Sequence, residues 1–103
     1  MLSNKAHAIS PKDLLKKVSE FYDVTIEQLL GPRRNKELVY PRQITAYLLR
    51  EELSLSFPRI GKELGGKDHT TIIHACNKIG REMKNSDVVK HEINSLREIL
   101  RNG

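Results

Sequence analysis

Tryptophan is missing from this 103-residue chain, and cysteine occurs once, as Cys76. A single thiol rules out an internal disulfide and fits a reducing cytoplasm. No apolar run approaches the roughly 20 residues that a membrane-spanning helix needs, so no membrane contact is expected. The first residues lack the apolar block of a signal peptide, and residues 1–9 read as a flexible N-terminal segment ahead of a domain over 10–103. Strand-type alternation is absent, as are internal repeats and low-complexity tracts. Gly65-Gly66-Lys67-Asp68 lacks the G-x-x-x-x-G-K-[ST] spacing of a phosphate-binding loop.

What is present suits one small globular domain with a modest core: 38% of residues are hydrophobic and 30% are charged. The net charge of +5 is unevenly placed. Residues 1–30 balance four Lys against four Asp or Glu, and residues 85–103 balance three against three. The middle, 31–84, carries eleven Lys or Arg against six Asp or Glu, and so holds the entire excess. Positive charge gathered in one region is the footprint expected for a polyanion partner, while a solvated basic face is the plain alternative.

Nearly every segment reads as helix. In "SPKDLLKKVSEFY", Ser10 is a plausible N-cap, Pro11 suits the first helical position and Asp13 stands three residues on. Leu14, Leu15, Val18, Phe21 and Tyr22 then make one apolar stripe. "TIEQLLGP" repeats the logic with a Thr25–Gln28 capping box and a Gly31-Pro32 stop. "GPRRNKELVY" reads as a basic loop, after which a helix restarts at Pro41 and presents Ile44, Tyr47 and Leu48. A short helix capped by Ser56 follows and ends at glycines. A long helix is expected over roughly 68–84, and a last one over about 87–101 with Asp87 as its N-cap. The fold class is all-α.

"GGKDHTTIIHACNKI" (65–79) opens a helix with four small polar or ionisable residues. At 100° per residue, Ile72, Cys76, Ile79 and Met83 fall within about 60° of one another. Thr70, His74, Asn77, Lys78 and Arg81 lie opposite, a polar face without a carboxylate. Gly61 precedes Gly65 by four residues, which suits a helix-turn-helix with one glycine at a close crossing and another at the turn. The second helix of such a unit enters the major groove by its N-terminal turn. There, threonine methyls meet thymine, aspartate accepts from cytosine and histidine donates to purines.

"GKDHTTIIHACNKI" and "YPRQITAYLLREELSLSFPRIGKELGG" upstream resemble the C-terminal DNA-binding domain of DnaA, the bacterial chromosomal replication initiator, over roughly residues 11–101. The resemblance implies a compact bundle of about six helices with a Trp-repressor-like helix-turn-helix, binding DnaA boxes in origin double-stranded DNA. It implies base contacts from Asp68, His69, Thr70, Thr71 and His74, with Arg34 in the adjacent minor groove and Arg33 beside it on the backbone. Gln43, Arg50, Phe57, Pro58 and Lys67 correspond to further backbone contacts. Arg42 is expected to contact phosphate as well, and charge and phase add Lys62 and Lys78 as phosphate ligands. Glu37 makes the loop less uniformly basic than in many relatives, and Phe57 stands where a smaller aliphatic is common. The full-length initiator carries an ATPase module; no cofactor and no enzymatic activity are expected of this chain. The resemblance also implies a cytoplasmic, nucleoid-associated protein, monomeric as an isolated domain, with a regulatory protein as a further partner.

Plainer readings stand beside these. Asp68 suits an N-cap, and His69 falls by phase at the edge of the apolar stripe, where a half-buried packing residue is expected. Cys76 reads as core. His69 and His74 lie about 140° apart on a helix with Cys76 turned away, so they share no metal site, and no nucleophile–base set is apparent. The rival functions are a protein-interaction module using the charge-balanced outer helices, and a stand-alone repressor or transposase-like DNA binder.

Overall fold

Ser10 and Asp13 cap each other's backbone: the serine hydroxyl accepts from the Asp13 amide at 3.1 Å, and the Asp13 carboxylate accepts from the Ser10 amide at 3.4 Å. Helix α1 therefore runs Pro11–Tyr22 and ends where Asp23 turns left-handed. The computed structural model describes residues 9–102, so residues 1–8 of the expected flexible segment lie outside the described residues. Ile9, also assigned to that segment, is half-buried and packs on the core. A residue just ahead of an N-cap commonly staples the helix start in this way.

The Thr25–Gln28 box likewise closes, at 3.0 and 2.9 Å, and starts the five-residue α2, Ile26–Leu30. Helix α3 departs from the sequence expectation. It spans Lys36–Leu53, five residues ahead of the expected restart, and carries Pro41 inside it. The missing proline amide would have bonded the Glu37 carbonyl, which belongs to an exposed residue in the first turn and can be hydrated there. Buried Leu38 and the Tyr40 hydroxyl, which donates to Glu92 at 2.9 Å, anchor that early turn. The basic loop is accordingly short, residues 31–35, and Lys36 belongs to the helix.

Helix α4, Phe57–Glu63, is capped by Ser56, whose hydroxyl accepts from the Arg59 amide at 3.2 Å. Helix α5 spans His69–Asn85 and α6 spans Asp87–Asn102. The α6 cap is Ser86 rather than Asp87: the Ser86 hydroxyl accepts from the Val89 amide at 3.2 Å, while Asp87 occupies the first turn. A serine hydroxyl one residue earlier reaches that amide, and the aspartate there still favours the helix dipole.

Among the described residues the six helices enclose one core, with α3 packed against α1, α2, α4 and α5, and α6 laid over α1 and α5. Ile44, Leu48, Leu49, Ile60, Ile79, Ile93 and Leu96 are fully buried. Each such side chain contributes about 1.5–3 kcal/mol relative to exposure. Tyr22 and Tyr40 both donate to the same Glu92 oxygen, at 2.8 and 2.9 Å, tying α1 and α3 to α6. Burial first, and then the adjacent carboxylate, push the Tyr40 phenol up to about 12 and raise Tyr22 as well.

The α4–α5 crossing is a backbone contact. A Cβ on Gly61 would stand 2.2 Å from the Lys67 carbonyl oxygen, and the Gly61 carbonyl itself accepts from the Gly66 and Lys67 amides, both at 2.9 Å. Gly80, in α5, meets only a Tyr47 ring carbon at 4.0 Å. The same substitution at the two glycines should therefore have opposite signs. Gly61→Ala should lower unfolding free energy by about 3 kcal/mol by forcing backbones apart, whereas Gly80→Ala should raise it by about 0.5–1 kcal/mol through helix propensity. Urea melts of the two variants measure both.

Candidate nucleic-acid interface

Of the expected α5 stripe, Ile72, Cys76 and Ile79 are buried, with Ala75 beside them, while Met83 is half-buried against the core. Burial pushes the Cys76 thiol up to about 11, which marks a packing residue rather than a reactive one. Asp68, His69, Thr70, Thr71, His74, Asn77, Lys78 and Arg81 are all exposed. His69 departs from the half-buried position that its phase predicts. It is the first helical residue, and no preceding turn stands beside it to cover its ring.

Asp68 occupies the N-cap position of α5 but makes no side-chain cap hydrogen bond. Its carboxylate lies 3.9 Å from His69 Nδ1, with both side chains more than half exposed. Both the carboxylate and the amides of the first turn are thus left for an external partner.

The turn ahead of Asp68 holds this tip in place. Gly65 has φ +83°, and a Cβ there would stand 2.3 Å from the Leu30 carbonyl oxygen, so the turn lies directly against the end of α2. The basic loop leaves α2 at that point, which brings Arg34 to the same surface as the α5 tip. One groove of about 840 Å³ is lined by Arg34, Arg42, Gln43, Lys67, Asp68, Thr71, His74, Lys78 and Arg81, among others. Its charged lining is five Lys or Arg against the single carboxylate of Asp68, so its field favours an anion.

Not every expected contact residue sits there. His69 and Thr70 are exposed at the α5 tip outside its lining, Arg33 is exposed in the loop, and Pro58 and Lys62 are exposed on α4. Arg50 and Phe57 line a separate groove on the other side of α5, where the Arg50 guanidinium lies 4.2 Å over the Phe57 ring and donates to the Leu55 carbonyl at 2.9 Å. Gln43 accepts from Lys78 Nζ at 3.3 Å, a polar bridge between α3 and α5. Arg81, which is not among the contacts expected from the sequence, lines both grooves. Its place on the polar face beside His74 and Lys78 was the available signal.

Two expected phosphate ligands are occupied otherwise. Arg42 donates from Nε to the Leu29 carbonyl at 2.9 Å, from Nη2 to Gln28 at 2.8 Å, and from Nη1 to the Arg33 carbonyl. Lys67 Nζ donates to the Leu30 and Leu64 carbonyls at 2.8 and 2.9 Å. The physical reason is α2, whose C-terminal carbonyls have no basic residue in its own last turn to serve them. Charge along the chain cannot distinguish a cation facing outward from one spent on such carbonyls.

This geometry agrees with what the chain is similar to. Residues 11–79 match the family described as the bacterial dnaA protein helix-turn-helix. The chain belongs to this family. A crystal structure described as a DNA replication initiation factor superposes with a TM-score of 0.80 at 32% identity, over 89% of this chain and 28% of that one. The chain thus spans little more than a quarter of that protein's length. The dnaA-type helix-turn-helix is a DNA-binding fold rather than a catalytic one, and among the described residues no helix is long and apolar enough to cross a membrane.

The free carboxylate of Asp68 has a consequence for stability. Ser10→Ala should destabilise by about 1 kcal/mol because a real cap is lost. Asp68→Ala should cost no more than about 0.5 kcal/mol, the helix-dipole share alone. A cost at Asp68 equal to that at Ser10 in chemical denaturation would contradict an unengaged carboxylate.

Proposed function

We propose that this chain binds origin DnaA boxes in double-stranded DNA sequence-specifically, as the DNA-recognition part of a replication initiator. The observation that carries the reading is that Arg34 of the loop lines one cation-rich groove together with Asp68, Thr71 and His74 at the start of α5. Asp68, His69, Thr70 and Thr71 read base edges in the major groove, and His74 joins them one turn on. Arg34 enters the adjacent minor groove, whose narrow stretches attract arginine. Arg33, Arg50, Lys62 and Lys78 contact phosphates, while Gln43, Phe57 and Pro58 lie against the backbone. Arg42 and Lys67, already engaged with carbonyls, add positive potential without being free ligands. ATP binding belongs to the parts of a full-length initiator that this chain does not contain.

Phosphate contacts supply affinity and base contacts supply choice, so the two respond differently to salt and to substitution. With about four phosphates neutralised at roughly −0.9 each in log K against log salt, affinity should fall about 10²-fold between 50 and 200 mM. His69→Ala and Thr71→Ala should each weaken box binding by about 1–3 kcal/mol and scarcely change binding to shuffled duplex. Equal losses on both duplexes in a competition assay would refute base reading by these side chains. Arg34→Ala should remove discrimination at one end of the site only, scored by substituting base pairs along the box. Binding that ignores salt and fails to shift duplex DNA would point instead to a protein-interaction module.

A further inference from the structure

Helix α2 has only five residues, too few for its own turns to satisfy its C-terminal carbonyls. Two cations from elsewhere in the chain do so together. Arg42, from α3, takes Gln28 and Leu29 and also the Arg33 carbonyl in the basic loop. Lys67, from the helix-turn-helix turn, takes Leu30 and also the Leu64 carbonyl at the end of α4. Burial lowers the pKa of both, and the Arg42 charge lowers that of Lys67 further, so like charges are being held close together. Five carbonyl oxygens around them offset that repulsion. The Gly65 backbone, pressed against Leu30, closes the same junction from the other side.

The network ends one residue short of each DNA-reading element. Arg33, whose carbonyl it holds, precedes Arg34; Lys67, which it contains, precedes Asp68. We infer that Arg42 and Lys67 are positioning residues that bolt the loop to the recognition helix, setting the distance between the minor-groove arginine and the major-groove tip. The inference rests on the DnaA-box reading above and deepens it: box length is specified by an internal cation–carbonyl junction, not by phosphate contacts from these two side chains. A flexible loop would let Arg34 find its groove at several spacings. A bolted loop accepts one.

The test is a mutant cycle on this chain, using a DnaA-box duplex, copies substituted at either end, and a shuffled duplex, each over a salt series. Arg42→Lys keeps the charge but cannot reproduce a planar fork onto three carbonyls. Lys67→Met keeps most of the stem and removes the donors. Each variant should retain its helical circular dichroism and lose about tenfold discrimination, worth 1.4 kcal/mol, at the end that Arg34→Ala affects. The other end should keep its discrimination, and adding Arg34→Ala should cost nothing further, because the residues act through Arg34. The salt slope of Lys67→Met should stay within about 0.3 of the parent's. A slope reduced by about 0.9 would make Lys67 a phosphate ligand and overturn the inference. Uniform loss at both ends, or additivity with Arg34→Ala, overturns it as well. If Lys67→Met does not fold, Arg42→Lys decides; unfolding of both means stability residues and overturns it. An unsubstituted chain that treats box and shuffled duplexes alike fails at the parent reading, a result visible before any variant is made.

Discussion

Backbone meets backbone at two places in this domain, and the recognition surface hangs from both. At Gly61 the turn residue Lys67 comes so close that no side chain fits between, and at Gly65 the turn itself lies against the last carbonyl of α2. Atoms within van der Waals distance of a neighbouring main chain have little room to yield, because interiors are packed at crystal-like density. The tip of α5 therefore projects from a braced turn. Its first residues need no packing of their own, which leaves Asp68, His69, Thr70 and Thr71 exposed at the start of a helix whose opposite face is buried.

Electrostatics serves two purposes here. One set of cations, including Arg34, Lys78 and Arg81, lies along the groove beside the exposed face of α5. Another, Arg42 and Lys67, neutralises the negative end of α2 and in doing so ties the loop to the turn. Both sets raise the same local potential, so the charge excess in residues 31–84 is a sound indicator of an anionic partner. It overstates the number of cations free to touch that partner. Distant structure follows the same economy: Glu92 accepts two tyrosine hydroxyls and joins three helices at a single oxygen.

Local signals served well where the responsible groups are neighbours in the chain. Both capping boxes, the Ser56 cap, the apolar stripe of α5 and the glycine turn follow from contacts three or four residues apart. The structure departs from local expectation where distant contacts outweigh it, and also where two local possibilities compete at a helix end. Pro41 looked like a helix start, yet Leu38 and Tyr40 gain enough from the core and from Glu92 to begin α3 a turn and a half earlier. Asp87 looked like a cap, but the serine before it reaches the open amide. For His69, phase alone points to a half-buried ring because it assumes a helix on both sides of the residue, whereas the family resemblance already implies an exposed contact residue there.

From its sequence alone this protein was legible as an all-helical domain with a polar-tipped recognition helix, a basic loop and a positively charged middle. Those properties are set by spacing, propensity and composition, which act within a turn or two. Only the tertiary structure decided which cations face outward, that Asp68 leaves its cap bond unmade, and that the loop and the recognition helix meet through the end of α2. The physical reason is that orphaned carbonyls take whichever donors the folded chain brings near, and Lys67 lies 37 residues from the Leu30 carbonyl it serves.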